Sequence, residues 1–293
     1  MEIVVIGGTG YLGSAISAAL DSAGHHVVRT AREAVPDTDR GPVHAVDLGD
    51  PTSLHGVVTA DVDAVVHAGA PLGDWSADAD AVAHLLGRLR EDAAFVYVSG
   101  AWVLGPSSTP LDEQAPARPI AIVKGREEVE ELVLESRGRG VVIRPGIVHG
   151  AGAGIPALMT AWAAESGHGR YVAAGGEVPT WASVHVDDLA DLAVLAVAGA
   201  RAGDVLHAVA EEAVPLHEVA QAADLAVGGT GVARPWPLDE AAATLGTDFA
   251  GALATGQHLV SRRAAELGWA PHRPGLVSDL RDGSYTAQAA TGA

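Results

Sequence analysis

The sequence predicts an α/β protein built on a doubly wound parallel sheet, with a small, mostly helical C-terminal substrate lobe. Three observations carry this expectation. A glycine-rich segment, Gly7-Gly8-Thr9-Gly10-Tyr11-Leu12-Gly13, directly follows a short apolar run and opens a helical pattern. Through the first half, near-continuous apolar runs alternate with amphipathic stretches, the pattern of strands covered on both faces. Hydrophobic residues make up 48% of the 293, which excludes disorder and allows a sizeable core.

The elements follow in order. Glu2–Ile6 reads as the first strand, ended by Gly7-Gly8, and Tyr11–Ala23 as the first helix, stopped by Gly24. Val27–Thr30 and Val43–Val46 are the next strands, and Asp63–His67 is the fourth. Asp78–Arg90 places Val82, Leu85, Leu86 and Leu89 at helical spacing. Phe95–Ser99 is a fifth strand, Pro119–Ser136 a helix with an acidic outer face, and Val141–Arg144 a sixth strand. Right-handed crossovers wind such units into one sheet. In the second half Ile155–Glu165, Asp187–Ala198, Leu216–Ala226 and Ser261–Leu267 read as helices. Val205–Ala208 reads as a strand returning to the sheet, and Ala233–Leu238 as a loop. The expected division is a nucleotide-binding domain over 1–150, continued by 184–210, with 151–183 and 211–293 forming the substrate lobe.

Composition narrows the function. No cysteine is present, so disulfide frameworks and thiolate sites are excluded. The formal charge of −19 argues against a nucleic-acid partner, which calls for a basic stripe. The N-terminal run lacks the basic flank of a signal peptide, and no apolar stretch approaches the ~20 residues of a membrane span. A cytoplasmic protein acting on a small molecule is expected. No metal-ligand spacing, Gly-x-Ser-x-Gly elbow or Walker loop is present. Among 18 basic residues Lys124 is the single lysine.

The glycine segment has the chemistry of a dinucleotide site. Gly7 allows a tight turn, Gly10 lets backbone approach a pyrophosphate, and Gly13 permits close packing of helix on sheet. Free N–H groups at the helix start attract the phosphates. The spacing G-G-T-G-Y-L-G resembles the extended or atypical branch of the short-chain dehydrogenase/reductase superfamily, the epimerase/dehydratase-like proteins with a Rossmann-type sheet. Further segments resemble it in order: Asp47-Leu48, Val65-Val66-His67-Ala68-Gly69-Ala70, Val98 through Gly105, Arg144 through Gly150, and Val184 through Leu189. The resemblance covers about residues 1–210. It implies that Gly7, Thr9, Gly10, Tyr11, Leu12, Gly13, Asp47, Leu48, Ala68, Gly69, Ala70, Pro145, Gly146 and Ile147 contact the cofactor.

NADPH is the expected cofactor. An NAD enzyme places an acidic residue after the second strand, and an NADP enzyme an arginine. Here the run is Val28-Arg29-Thr30-Ala31-Arg32, so Arg32, helped by Arg29 and Thr30, is the candidate for the 2′-phosphate. The alternative makes Glu33 the acidic residue, one step late.

The family resemblance implies a Ser-Tyr-Lys set, with Tyr and Lys four residues apart on one helix face. Lys124 fits, but Ile120 stands at the Tyr place and Gly100 at the Ser place. Lys124 is therefore expected to hold the nicotinamide ribose, with Ser99 and His149 as further catalytic candidates. Tyr171 could reach the pocket. Six Trp against two Phe suggest an aromatic pocket, with Trp75, Trp102, Tyr171 and Trp181 as substrate contacts. The expected activity is reduction of an aromatic or polycyclic, polyketide-like carbonyl, as in the triad-lacking ketoreductases of angucyclinone pathways. The proton would come from the substrate or from water. A non-catalytic NADP-binding regulator, and an epimerase or dehydratase with relocated acid–base groups, are the alternatives.

Overall fold

The computed structural model describes residues 1–33, 41–69 and 75–286. Its main sheet contains β1 (Glu2–Ile6), β2 (His26–Ala31), β3 (Val43–Ala45), β4 (Ala64–His67), β5 (Ala94–Val98), β6 (Arg139–Pro145) and, after a long excursion, β10 (Asp204–Ala208). All seven pair in parallel, in the order β10-β6-β5-β4-β1-β2-β3. The order reverses at β1, and in such sheets ligands bind beyond the carboxyl ends of the strands at that reversal.

Helices α1 (Tyr11–Ser22) and α5 (Val186–Gly199) cover one face, and α2 (Trp75–Arg88) and α3 (Arg126–Leu134) the other. Strand alternation divides β1 between them. Ile3 and Val5 join Ile16, Leu20, Leu189 and Leu192, while Val4 and Ile6 join Val82, Leu85, Val129 and Val133. Burying each such aliphatic chain contributes roughly 1.5–3 kcal/mol.

Beyond β6 the chain forms β7 (Ile147–His149), α4 (Gly154–Ser166), β8 (Gly169–Ala173) and β9 (Thr180–His185) before α5. After β10 come β11 (Glu211–Pro215), α6 (Leu216–Ala226), β12 (Ala233–Pro237), α7 (Leu238–Leu245), α8 (Thr247–Leu253), α9 (Arg263–Glu266) and α10 (Leu276–Asp282). Strands β11, β9 and β7 make a second sheet, and β12 pairs in parallel with β8. A separate core gathers Met159, Val172, Trp181, Leu216, Val219, Trp236 and Leu276.

Several expectations change. The helix expected over 119–136 is shorter. Ala121–Val123 is a 3-10 turn, Lys124 is extended, and Gly125 takes a left-handed φ of 101° before α3 starts at Arg126. The expected loop 233–238 is mostly strand β12. The helix expected over 261–267 spans only Arg263–Glu266. That segment, with Leu267 and Trp269, also joins the main core and not the lobe core to which the sequence reading assigned it. Asp188 of α5 explains the attachment, since its carboxylate accepts the backbone N–H groups of His272 and Arg273, each at 3.1 Å.

Residues 284–285 reach back to residues 150–153, which also meet Tyr11 of the glycine segment. Tyr11 donates its hydroxyl to Gly150 O at 3.0 Å, and Gly150 N donates to Tyr285 Oη at 2.9 Å. Tyr285 in turn donates to Ala153 O, and Gly152 N donates to Ser284 Oγ.

Candidate active site

An outer cleft of about 710 Å3 opens at the carboxyl ends of β1, β2 and β4. Gly7, Thr9, Gly10, Tyr11, Leu12, Arg32, Asp47, Leu48, Ala68 and Gly69 all line it. Its floor is shaped for a close backbone approach. Gly7 has φ of 74°, and a Cβ there would stand 2.8 Å from Gly69 Cα. A Cβ at Gly13 would overlap the carbonyl of Gly7. Thr30 Oγ1 accepts the Gly7 N–H at 3.2 Å, which fixes the turn to β2. Helix α1 starts without a side-chain cap and without an acidic residue in its first turn. Its N–H groups and dipole are thus open to an anion. These features fit a dinucleotide: phosphates on the α1 start, adenosine toward Arg32, Asp47 and Leu48.

A smaller inner cleft of about 190 Å3 shares Leu12 with the outer one. Gly100, Trp102, Val123, Arg126, Pro145, Gly146, Ile147, Ile155 and Gln257 are among its walls. Two buried hydrogen-bond networks lie beneath it. In one, Arg144 pairs with Glu130 through Nε and Nη2, and Ser99 donates to Glu130 Oε1 at 2.5 Å. In the other, Asp78 pairs with His67 at 2.9 Å and accepts the Tyr97 hydroxyl at 2.7 Å. Burial pushes the phenol of Tyr97 well above its ordinary range, and does the same to Tyr11 and Tyr285. None of these three is poised to release a proton near neutral pH.

The model of the NAD dependent epimerase/dehydratase family matches residues 3–209. The chain belongs to that family. Among epimerase/dehydratase relatives, a 3-diazoavenalumate denitrifying reductase from a Streptomyces species is 31% identical over 94% of this chain and 97% of its own. A 2-alkyl-3-oxoalkanoate reductase from Stenotrophomonas maltophilia is 33% identical over 52% of each chain. The crystal structure of the human epimerase family protein SDR39U1 with NADPH has the same fold, with a TM-score of 0.77 at 23% identity over 97% of this chain and 99% of that one. The protein is thus an NAD(P)-dependent, oxidoreductase-type member of the epimerase/dehydratase family.

Within this epimerase/dehydratase frame, some predicted residues stand elsewhere. Pro145, Gly146 and Ile147 line the inner cleft and not the outer one, and Ala70 lies outside the described residues. Arg29 is buried and paired with Asp21 of α1, so its guanidinium is turned away from the cofactor cleft. Lys124 is exposed and lines neither cleft, and Gly125 breaks the helix face that was to align it with position 120. Ser99 lines the inner cleft, but its hydroxyl is held by Glu130. His149 is buried against Asp279 at 3.1 Å, outside both clefts. With His185 these two offer ligand atoms within 4.8 Å of one another. Both histidine Nδ1 atoms are already engaged, by Asp279 and by the Asp187 N–H. Trp102 lines the inner cleft and Trp75 stacks on Arg126. Trp181 is buried in the second core and Tyr171 packs, half-buried, against that core, and neither lines either cleft.

Sequence reasoning missed Arg126 and Gln257. Gln257 Nε2 donates to the carbonyls of Ala101 and Gly105, both at 2.8 Å, and closes one wall of the inner cleft. Nothing in its local sequence marks it. Arg126 did leave a signal: it is the one basic residue in the helix Arg126–Leu134, at the end where the dipole disfavours a cation.

Proposed function

We propose that the protein is an NADPH-dependent ketoreductase for aromatic or polyketide-like carbonyl compounds. The observation that carries this reading is the inner cleft, joined to the dinucleotide cleft at Leu12 and walled by Trp102, Val123, Ile147 and Ile155. Such a wall suits a flat apolar ring better than a sugar. Reductase names among the relatives support the same direction. When bound, the reduced nicotinamide supplies the hydride that turns a carbonyl into an alcohol. In this reading Arg32 meets the 2′-phosphate and Lys124 swings onto the nicotinamide ribose. Trp102 and Ile147 orient the ring. With Gly100 and Ile120 at the Ser and Tyr places, the alkoxide oxygen takes its proton from the substrate's own neighbouring hydroxyl or from water. A prepositioned hydroxyl brings no further entropic cost.

The same two replacements favour a second reading, a non-catalytic NADP-binding regulator. Deuteride transfer separates them. NADPH carrying deuterium at C4 is incubated with the protein and peri-hydroxy aryl ketones or their methyl ethers. We expect deuterium on the carbinol carbon, with the methyl ethers slower by about 10²-fold or more. Tight NADPH binding with no deuterium transferred to any ketone would assign the regulator.

A further inference from the structure

Arg126 is a half-buried cation that forms no ion pair with a described carboxylate, although Tyr97, Asp78 and Glu130 lie close enough to act on its charge. Among the described residues no carboxylate lies within ion-pair distance of it, and its Nε has no hydrogen-bond partner. The two nearby acids are already engaged, Asp78 by His67 and Tyr97 and Glu130 by Arg144 and Ser99. The indole of Trp75 covers the guanidinium, with Cζ 4.2 Å from the ring centroid. A Cβ at position 100 would stand 2.9 Å from Arg126 Nη1, so Gly100 is what admits the group to this place. The position does not serve the helix, because a cation in the first turn of α3 opposes the dipole. Trp102, on the same cleft wall, also has a buried Nε1 without a partner.

A buried charge needs a partner or a strong hydrogen-bonding group. A guanidinium offers a planar fork of donors that matches a carboxylate with two parallel hydrogen bonds. We propose that the inner cleft receives a carboxylate group of the substrate, with Arg126 as its counter-ion. The loss of a side chain at position 100 then has a positive use: it exchanges a hydroxyl for an anion receptor. A cleft of about 190 Å3 is smaller than those that enclose drug-sized ligands, so it holds one carboxylate-bearing ring between Arg126 and the apolar wall while the rest of a larger substrate extends outward. This inference rests on the ketoreductase reading for its substrate, but its test needs no turnover.

The test is calorimetric titration of the full chain, loaded with NADPH, using benzoate and its neutral isostere benzamide. Benzoate is expected to bind at least 10-fold more tightly than benzamide. In Arg126→Met that preference should vanish while NADPH still binds, and Arg126→Lys, which keeps the charge but loses the fork, should fall between. Equal binding of the two ligands by the unchanged protein overturns the proposal. So does the absence of any benzoate binding, or undiminished benzoate binding by Arg126→Met. Should Arg126→Met fail to fold, the benzoate–benzamide comparison in the unchanged protein decides alone. Benzoate preference without deuteride transfer to ketones would leave the anion receptor standing and remove the reductase.

Discussion

Arg32 stands just past the end of β2, exposed at the mouth of the outer cleft beside Thr30 and Ala31. In the proposed function it meets the 2′-phosphate, which only NADPH carries, so Arg32→Ala should weaken NADPH roughly 10-fold and leave NADH nearly unchanged. Lys124 is a contrasting case. A ribose contact is common to both cofactors, so Lys124→Ala should weaken NADPH and NADH alike. Fluorescence titration of both variants with both cofactors checks the pair. Equal affinity of the unchanged protein for the two cofactors would remove the role given to Arg32. The glycine segment was legible because its residues act through backbone shape, which sequence order largely determines. Trp181, Tyr171 and His149 were not. Each was placed by its neighbourhood in the chain, but packing against the second core and α10 buried Trp181 and His149 and half-buried Tyr171 away from the clefts.

Among elements, the turn before α3 bears most on the site. Gly125 holds a φ of 101°, and a Cβ there would meet Trp75 Cβ at 3.2 Å. Gly125→Ala should cost about 1–2 kcal/mol, read as a lower melting temperature. Gly87, inside α2 with open space around it, is the control. Gly87→Ala should raise stability by about 0.5–1 kcal/mol. A Gly125→Ala protein as stable as the parent would mean that the left-handed turn is dispensable. Strands β1, β4, β5 and β6 were readable because parallel strands buried on both faces are apolar throughout. The 119–136 segment misled because its acidic, helical tail extends the pattern backward across a glycine. Strand β12 misled for a different reason. Pro235 and Pro237 look like loop residues, yet both are exposed in a two-stranded ribbon, where proline is tolerated at an edge. Buried Trp236 between them was the signal of alternation.

At the scale of the whole molecule, acid should destabilise the fold. His185 caps α5 by accepting the Asp187 N–H on Nδ1 at 3.2 Å, which requires an unprotonated nitrogen. Burial, helped by the neighbouring His149, holds its pKa below the ordinary 6.5. Burial also lowers His207. In the unfolded chain both take a proton near pH 6.5, and in the folded protein only at lower pH. Between those values the unfolded state binds more protons, so stability is full above about 6.5 and falls as the pH drops. Asp279 adds to this at lower pH. Burial pushes its pKa up, but hydrogen bonds with His149 and Ser284 outweigh that and bring it below the ordinary range. Its contribution is present above the unfolded value and lost as pH falls through the folded one. The melting temperature should therefore be flat above pH 7 and decline from 6.5 to 5, less steeply in His185→Gln. A constant melting temperature across that range would show that these groups titrate alike folded and unfolded.

The hydrogen bonds that run from Tyr11 through Gly150 to Tyr285 also set an order of events during synthesis. The glycine turn emerges from the ribosome among the first residues of the chain. A nascent chain ending near residue 210 already holds every strand of the main sheet. The partner that secures Gly150, and through it Tyr11, is not made until residue 285. A growing chain can thus assemble the glycine turn and the whole main sheet long before the hydrogen bonds that Ser284 and Tyr285 make to residues 150–153 can form, so the last contacts on that turn are also the last to be synthesised.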